Sequence, residues 1–213
     1  TRVSELHSSN KFELIYDGLF YGIGQASQRA IALICLPFFI QYINPSDYGV
    51  VGLLSSLSIF LIPIFSLGLN FSTGVCYFNS KKKSRTDVIS SALFISLISA
   101  GIFLIGTIFF IDELSRLFFS TLEYKLHTLV AFITIFFSIL CIPIQLYQQY
   151  MKQSAPFLIF ALLSSFFSVI VSLLAIVLMG YGALGLLIGA MVGQIFLFLL
   201  LIFSNYKLFS FTS

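Results

Sequence analysis

An arginine stands within the first long apolar stretch of the sequence, where a charged side chain is unusual. Arg29 lies about twelve residues into that stretch, roughly 18 Å along a helix axis. Gly22, Gln25 and Ala32 share its helix face at spacings of three and four residues, and Gln28 stands beside it. Because a mid-membrane arginine costs about 2.5–3.5 kcal/mol on insertion scales, it should face a polar interior. The pattern indicates a cationic cavity for an anionic substrate; the alternative is a structural arginine bonded to carbonyls or glutamines of a neighbouring helix.

Three further polar side chains lie in apolar runs and are candidates for the same cavity: Asn70, Gln145 and Gln194. Together with the residues of the first stretch, the predicted substrate-binding set is Arg29, Gln25, Gln28, Asn70, Gln145 and Gln194. Asn70 and Gln145 could instead lie in the cytoplasmic interface. Each of the three could also serve only to hold helices together through hydrogen bonds.

Small residues are frequent in the last two apolar runs. Gly185 and Gly189 form a GxxxG step that Gly193 extends, and this spacing lets membrane helices approach closely. We interpret the serines of the preceding run mainly as small packing residues; they include Ser164, Ser165 and Ser168.

No catalytic or metal-binding constellation appears in the sequence. Asp and Glu are absent from the interiors of the apolar runs, so no pair of carboxylates there could perform acid–base chemistry. The sequence has no HExxH, no phosphate-binding loop, no nucleophile elbow and no CxxC. We therefore expect no enzymatic activity and no cofactor or metal. The net charge of +3 is too small to suggest a nucleic-acid partner.

The composition requires lipid as the main solvent. Hydrophobic residues make up 59% of the chain and charged residues 9%, whereas soluble domains carry roughly 25% charged residues. No Asp, Glu, Lys or Arg occurs between Lys152 and Lys207. As one helix that stretch would be roughly 80 Å long, against a bilayer core of about 30 Å. It must therefore form two spans, and Gly180-Tyr181-Gly182 supplies the break.

These observations predict an all-α, polytopic transmembrane bundle. We expect about six spans, near residues 17–43, 48–70, 88–111, 126–147, 156–179 and 183–203. A polar, partly amphipathic lead-in would occupy residues 1–16, the six-helix lobe residues 17–203, and a tail residues 204–213. Residues 112–125 are typical of a short interfacial amphipathic segment.

The distribution of basic residues predicts the orientation. With six spans, eight basic residues fall on one side of the membrane: Arg2, Lys11, Lys81, Lys82, Lys83, Arg85, Lys152 and Lys207. The other side has only Arg116 and Lys125, diluted by three acidic residues. Because cytoplasmic loops carry the excess of Lys and Arg, both termini are expected in the cytoplasm. The Lys81–Arg85 run would also attract anionic lipid headgroups.

Three stretches resemble the bacterial polysaccharide flippases of the multidrug/oligosaccharidyl-lipid/polysaccharide exporter superfamily. The most distinctive begins at Leu36-Pro37 and ends in Pro45-Ser46-Asp47-Tyr48-Gly49, similar to the family's "LP" followed by "P-x-D-Y-G". Physically, Pro45 should end one helix, Ser46 or Asp47 should cap the next, and Gly49 should permit close packing. The other two are Ser66-Leu67-Gly68-Leu69-Asn70 and Gly182-Ala183-Leu184-Gly185 followed by Gly189.

The resemblance implies translocation of an undecaprenyl-diphosphate-linked oligosaccharide across the bacterial cytoplasmic membrane. It also implies two six-helix lobes that rock about a central cavity, of which this chain would be the first. The second lobe would come from a continuation of the gene or from a homodimer. Arg29 would match the diphosphate or an acidic sugar. Family members often carry an arginine after the glycine of helix two; here Val75 and Cys76 stand there, which leaves fewer cavity cations.

Two functions of other classes compete with a flippase. A membrane glycosyltransferase or polysaccharide polymerase would need catalytic residues on substantial external loops, and the loops here are short. A non-transporting membrane scaffold would need only helix packing, and Arg29 argues against it. The chain begins at Thr1 and stops soon after an apolar run, so we expect it to be the N-terminal part of a longer protein.

Overall fold

The structure, a computed structural model, describes residues 22, 23, 26, 30, 31, 33–80 and 85–205. The described residues form helices and connecting turns, without strands. We label the helical residues 33–40 as α1. The helices that follow are α2 (Pro45–Phe65), α3 (Leu69–Asn79), α4 (Arg85–Phe109), α5 (Ile111–Phe119), α6 (Lys125–Tyr150), α7 (Ser154–Val177) and α8 (Gly182–Ser204).

Five helical stretches of the described part are long and apolar enough to cross a membrane. They are α2 and α3 taken together, α4, α6, α7 and α8. Large apolar side chains are exposed along them, for example Phe60 at 67% and Ile102 at 64%, as expected where lipid is the solvent. The all-α, multi-pass membrane bundle is therefore confirmed. The remaining prediction, a span at 17–43, lies partly outside the described residues, which are continuous there only from residue 33.

The second span differs from its prediction, because the helical path does not end near residue 70. It pauses at Ser66–Gly68 and resumes as α3, which continues to Asn79. Leu67 and Gly68 have φ of 51° and 67° in the left-handed region, which glycine adopts without steric cost. Past this pause the sequence is again apolar enough to continue in lipid.

The carbonyls from Ile62 to Phe65, next to this pause, all find donors. Ser66 gives its N–H to Ile62 O at 2.9 Å and its hydroxyl to Pro63 O at 3.0 Å. Leu67 N–H donates to Ile64 O at 3.2 Å. The Ser99 hydroxyl of α4 donates to Phe65 O at 2.5 Å. Since an unpaired carbonyl in hydrocarbon costs several kcal/mol, these bonds make the interruption tolerable within the bundle.

The start of α2 also departs from the sequence-based expectation. Asn44 occupies the N-cap position and Pro45 opens the helix, so Ser46 and Asp47 lie in the first turn. Proline suits this position because its missing N–H would have had no helical partner. A Cβ added to Gly49 would meet nothing within 4 Å, so close packing does not require this glycine.

The short connections follow the predictions more closely. Gly180 and Gly182 both have positive φ, 66° and 50°, and the turn between α7 and α8 lies where Gly-Tyr-Gly predicted it. The segment predicted at 112–125 contains the amphipathic helix α5. An ion pair joins Asp112 to Lys125, and each side chain is about half exposed.

Helix α6 is the centre of the bundle and contacts α2, α3, α4, α5, α7 and α8. Half of its most apolar stretch is buried, which is a larger share than in the other four spans of the described part. Its buried face includes Phe132, Ile135 and Ile139, which pack with Leu54 of α2 and Phe103 of α4. On its other side α6 faces the α7–α8 hairpin, and several polar side chains of these three helices line a groove there.

Candidate functional site

A cavity of about 480 Å³ opens among α6, α7 and α8. Helix α8 packs extensively against both α7 and α6, whereas α6 and α7 touch much less. The cavity is therefore a groove with α8 as its floor and α6 and α7 as its walls. Its lining residues are Ile31, Ile62, Thr134, Ser138, Ile142, Gln145, Ser164, Ser165, Ser168, Val169, Ala190, Gly193, Gln194 and Leu197. Most of the polar ones lie near the middle of their helices, and the groove is thus at about mid-depth along the spanning helices.

Glycines of α8 bring the floor of the groove against the α7 wall. A Cβ on Gly193 would lie 2.5 Å from Ser168 Cβ and 3.1 Å from Ser164 O. On Gly189 it would overlap the Ser172 hydroxyl and lie 2.6 Å from Ser168 O, and on Gly185 it would lie 2.8 Å from an Ile176 side-chain carbon. The GxxxG pattern thus marks a tight seam between α7 and α8.

Four hydroxyl groups in the groove donate their protons to carbonyls of their own helices, which leaves their oxygens as acceptors for a ligand. Thr134 donates to Val130 O at 2.9 Å and Ser138 to Thr134 O at 2.8 Å. On the opposite wall, Ser164 and Ser165 both donate to Ala161 O. A hydroxyl that has given away its proton keeps its oxygen lone pairs. The lining can therefore accept hydrogen bonds from a hydroxyl-rich ligand.

Two glutamines supply both donors and acceptors to the groove. Gln145 lies toward the C-terminal end of α6, and Gln194 lies at the middle of α8. The Gln194 side chain is also within hydrogen-bond reach of the buried Cys141 thiol. Among the residues that the structure describes, those that line the groove are uncharged. They offer hydrogen bonds to neutral polar groups.

A family model described as polysaccharide biosynthesis protein matches residues 27–212. The chain belongs to this family. This membership agrees with the resemblance found in the sequence, and it supports a role for the protein in polysaccharide biosynthesis or export. Searches of curated proteins and of solved structures give no significant match.

The fold brings two of the six predicted site residues together. Gln145 and Gln194 line the same groove. Asn70 is exposed on α3 and is not among the residues that line this groove. Arg29, Gln25 and Gln28 lie outside the described residues. Ile31, two positions after the arginine in the sequence, does line the groove.

Sequence reasoning missed the hydroxyl residues of the walls. Thr134 and Ser138 are four residues apart on α6, and Ser164, Ser165 and Ser168 follow a three-and-four spacing on α7. This spacing places each set on one helix face. The periodicity was therefore available in the sequence, but small residues also serve ordinary helix packing, and only the structure shows the two faces opposite each other.

Proposed function

We propose that the protein is a flippase, not an enzyme, that moves a lipid-linked oligosaccharide across the cytoplasmic membrane. The carrying observation is the groove lined by hydroxyl and amide side chains, at the middle of the spanning helices of a polysaccharide biosynthesis family. Sugar hydroxyls can donate to the serine and threonine oxygens, while Gln145 and Gln194 can bond in either sense. The lipid tail would remain in the bilayer, against the exposed apolar faces of the helices.

This proposal includes a partner and an orientation. A second lobe, from the same gene or from a second copy, would complete the passage, as in other transporters built from repeats. Membrane lipids surround the bundle, and no nucleic acid is involved. The basic ends would face the cytoplasm of a bacterium, in agreement with the excess of Lys and Arg.

The orientation predicts opposite accessibility for two exposed positions. Cysteines are introduced as Glu123→Cys and Lys152→Cys in a background without the three native cysteines. In intact cells, we expect a membrane-impermeant thiol reagent to label position 123 and to leave position 152 unlabelled until the cells are opened. Strong labelling of position 152 in intact cells would contradict the proposed topology.

The function predicts a specific defect for Gln194→Leu. Leucine has a similar size and suits a membrane helix, but it cannot hydrogen-bond a sugar. We expect export of polysaccharide to fall by up to about tenfold, the value of one lost hydrogen bond near 1.4 kcal/mol. The measurement is surface polysaccharide in a strain that depends on this protein, with membrane abundance determined by blot. Gln149→Leu is the matched control, because Gln149 is a glutamine of α6 that is not among the lining residues.

The same strain separates the competing functions. If a flippase is impaired, the completed lipid-linked oligosaccharide accumulates in the membrane. If a glycosyltransferase is impaired, that oligosaccharide is shortened or missing, and if a polymerase is impaired, single units reach the surface without being joined. Unchanged export by an abundant Gln194→Leu variant would speak for a scaffold and against a substrate-binding groove.

A further inference from the structure

Helices α3, α4 and α6 meet in an aromatic cluster that shares no residue with the groove lining. Tyr77 of α3 is only 2% exposed and packs with Ile89 of α4 and with Tyr147 and Tyr150 of α6. The Tyr77 and Tyr150 ring centres are 4.9 Å apart. The Tyr77 hydroxyl lies 3.3 Å from the Met151 sulfur. Held from several sides, the Tyr77 ring is a fixed platform.

Arg85 rests on this platform. Its guanidinium carbon lies 5.1 Å from the centre of the Tyr77 ring, within the range of a cation–π interaction. A ring that covers the face of a guanidinium leaves the N–H groups at its edge free to bond in their own plane. The Arg85 Nε is buried and has no hydrogen-bond partner among the described residues. The residue as a whole is partly exposed.

The positive charge of Arg85 has no carboxylate partner in the described part of the chain. The ion pair found there joins Lys125 to Asp112, beyond the opposite end of α4. Asp87 follows Arg85 by two residues but forms no ion pair with it. Three lysines, Lys81–Lys83, precede Arg85 closely in the sequence. The charge balance at this end of α4 therefore favours an anion.

We propose that Arg85, stacked on Tyr77, binds a phosphate group at the level of the lipid headgroups. Arg85 opens a helix long enough to cross the membrane, and headgroups occupy the zone just outside the hydrocarbon core. A guanidinium edge matches two phosphate oxygens at once, which a lysine ammonium cannot do. This site depends on the membrane-spanning fold alone and is separate from the proposed flippase activity.

Lipid retention by the full chain in nanodiscs tests the site. The discs contain phosphatidylcholine with a minor fraction of phosphatidic acid, and native mass spectrometry measures which lipid stays bound. We expect the wild type to retain phosphatidic acid preferentially and Arg85→Gln to reduce this preference about tenfold, as for a lost charge-assisted bond. Arg85→Lys should lose part of it, because the charge remains without the planar fork. Arg116→Gln, which removes an exposed arginine on α5, should behave as the wild type.

Inorganic phosphate in a parallel sample identifies the source of the phosphate. Displacement of phosphatidic acid by millimolar phosphate would support the site and assign it to a soluble phosphate, whereas persistence would assign it to the headgroup. Thermal melting checks that the variants fold, and if Arg85→Gln does not, Arg85→Lys decides. Equal retention by the wild type and the folded Arg85 variants would overturn the proposal, as would an equal loss with Arg116→Gln.

Discussion

Gly189→Val is expected to prevent the α7–α8 hairpin from closing. The first carbon of the new side chain would overlap the Ser172 hydroxyl and lie 2.6 Å from the Ser168 carbonyl oxygen. The serine could turn away, but a backbone carbonyl cannot move without shifting its helix. Overpacking of this kind costs about 1–3 kcal/mol, and occasionally more. We expect a lower melting temperature in detergent and a clear loss of protein from the membrane.

Gly106→Val on α4 is the matched control. A Cβ at Gly106 would meet nothing within 4 Å, so the same change of residue there should leave abundance and melting close to the wild type. Since both glycines lie in membrane helices, the pair separates the seam from the general effect of adding an apolar side chain. Wild-type melting of Gly189→Val would mean that α7 and α8 do not pack as described.

Arg29→Ala is expected to abolish polysaccharide export while the protein remains in the membrane. The reason comes from the sequence: an arginine at this depth is costly in lipid and requires a compensating contact. If that contact is an anionic substrate, removing the charge removes binding without unfolding the protein. Arg29→Lys should keep partial export, because the charge remains but the planar fork that grips phosphate is lost. Surface polysaccharide is the measurement.

Membrane abundance on the same cells decides how the result is understood. Arg116→Ala, a change at an exposed arginine of α5, should export normally and serves as the control. Full export by a normally abundant Arg29→Ala variant would remove the cationic-cavity hypothesis. If instead the variant disappears from the membrane, Arg29 has the structural role that bonds to a neighbouring helix would give it.

Much of the fold could be predicted because lipid imposes simple rules. A charge-free stretch longer than the thickness of the bilayer must turn back. Gly180 and Gly182 marked the place of that turn in the sequence, and the structure has the turn there. The interruption of the helix at Ser66–Gly68 was harder to predict. Its hydrogen bonding depends on Ser99, which donates to the Phe65 carbonyl from another helix. Local sequence patterns do not reveal a partner so far away along the chain.

The candidate site shows the same division. Gln145 and Gln194 could be suspected because amides in apolar runs seek polar surroundings, and both line the groove. Asn70 satisfied the same criterion but is exposed on α3. Which face of a helix turns inward depends on how the helices cross, and α3 starts anew after the interruption at Ser66–Gly68. The sequence alone could not supply that rotation.

The interruption between α2 and α3 permits bending where lipid normally forbids it. A chain inside hydrocarbon can change direction only if its peptide groups keep their partners. Each carbonyl from Ile62 to Ser66 already has a donor, either close by in the chain or from Ser99. The Ser99 bond fixes the end of α2 to α4, and the bond that leads from this joint into α3 is the one from the Leu69 N–H to the Ser66 carbonyl, at 2.9 Å. The second span thus contains an interruption in which the peptide carbonyls from Ile62 to Ser66 do not need water as a partner, as the surrounding acyl chains require.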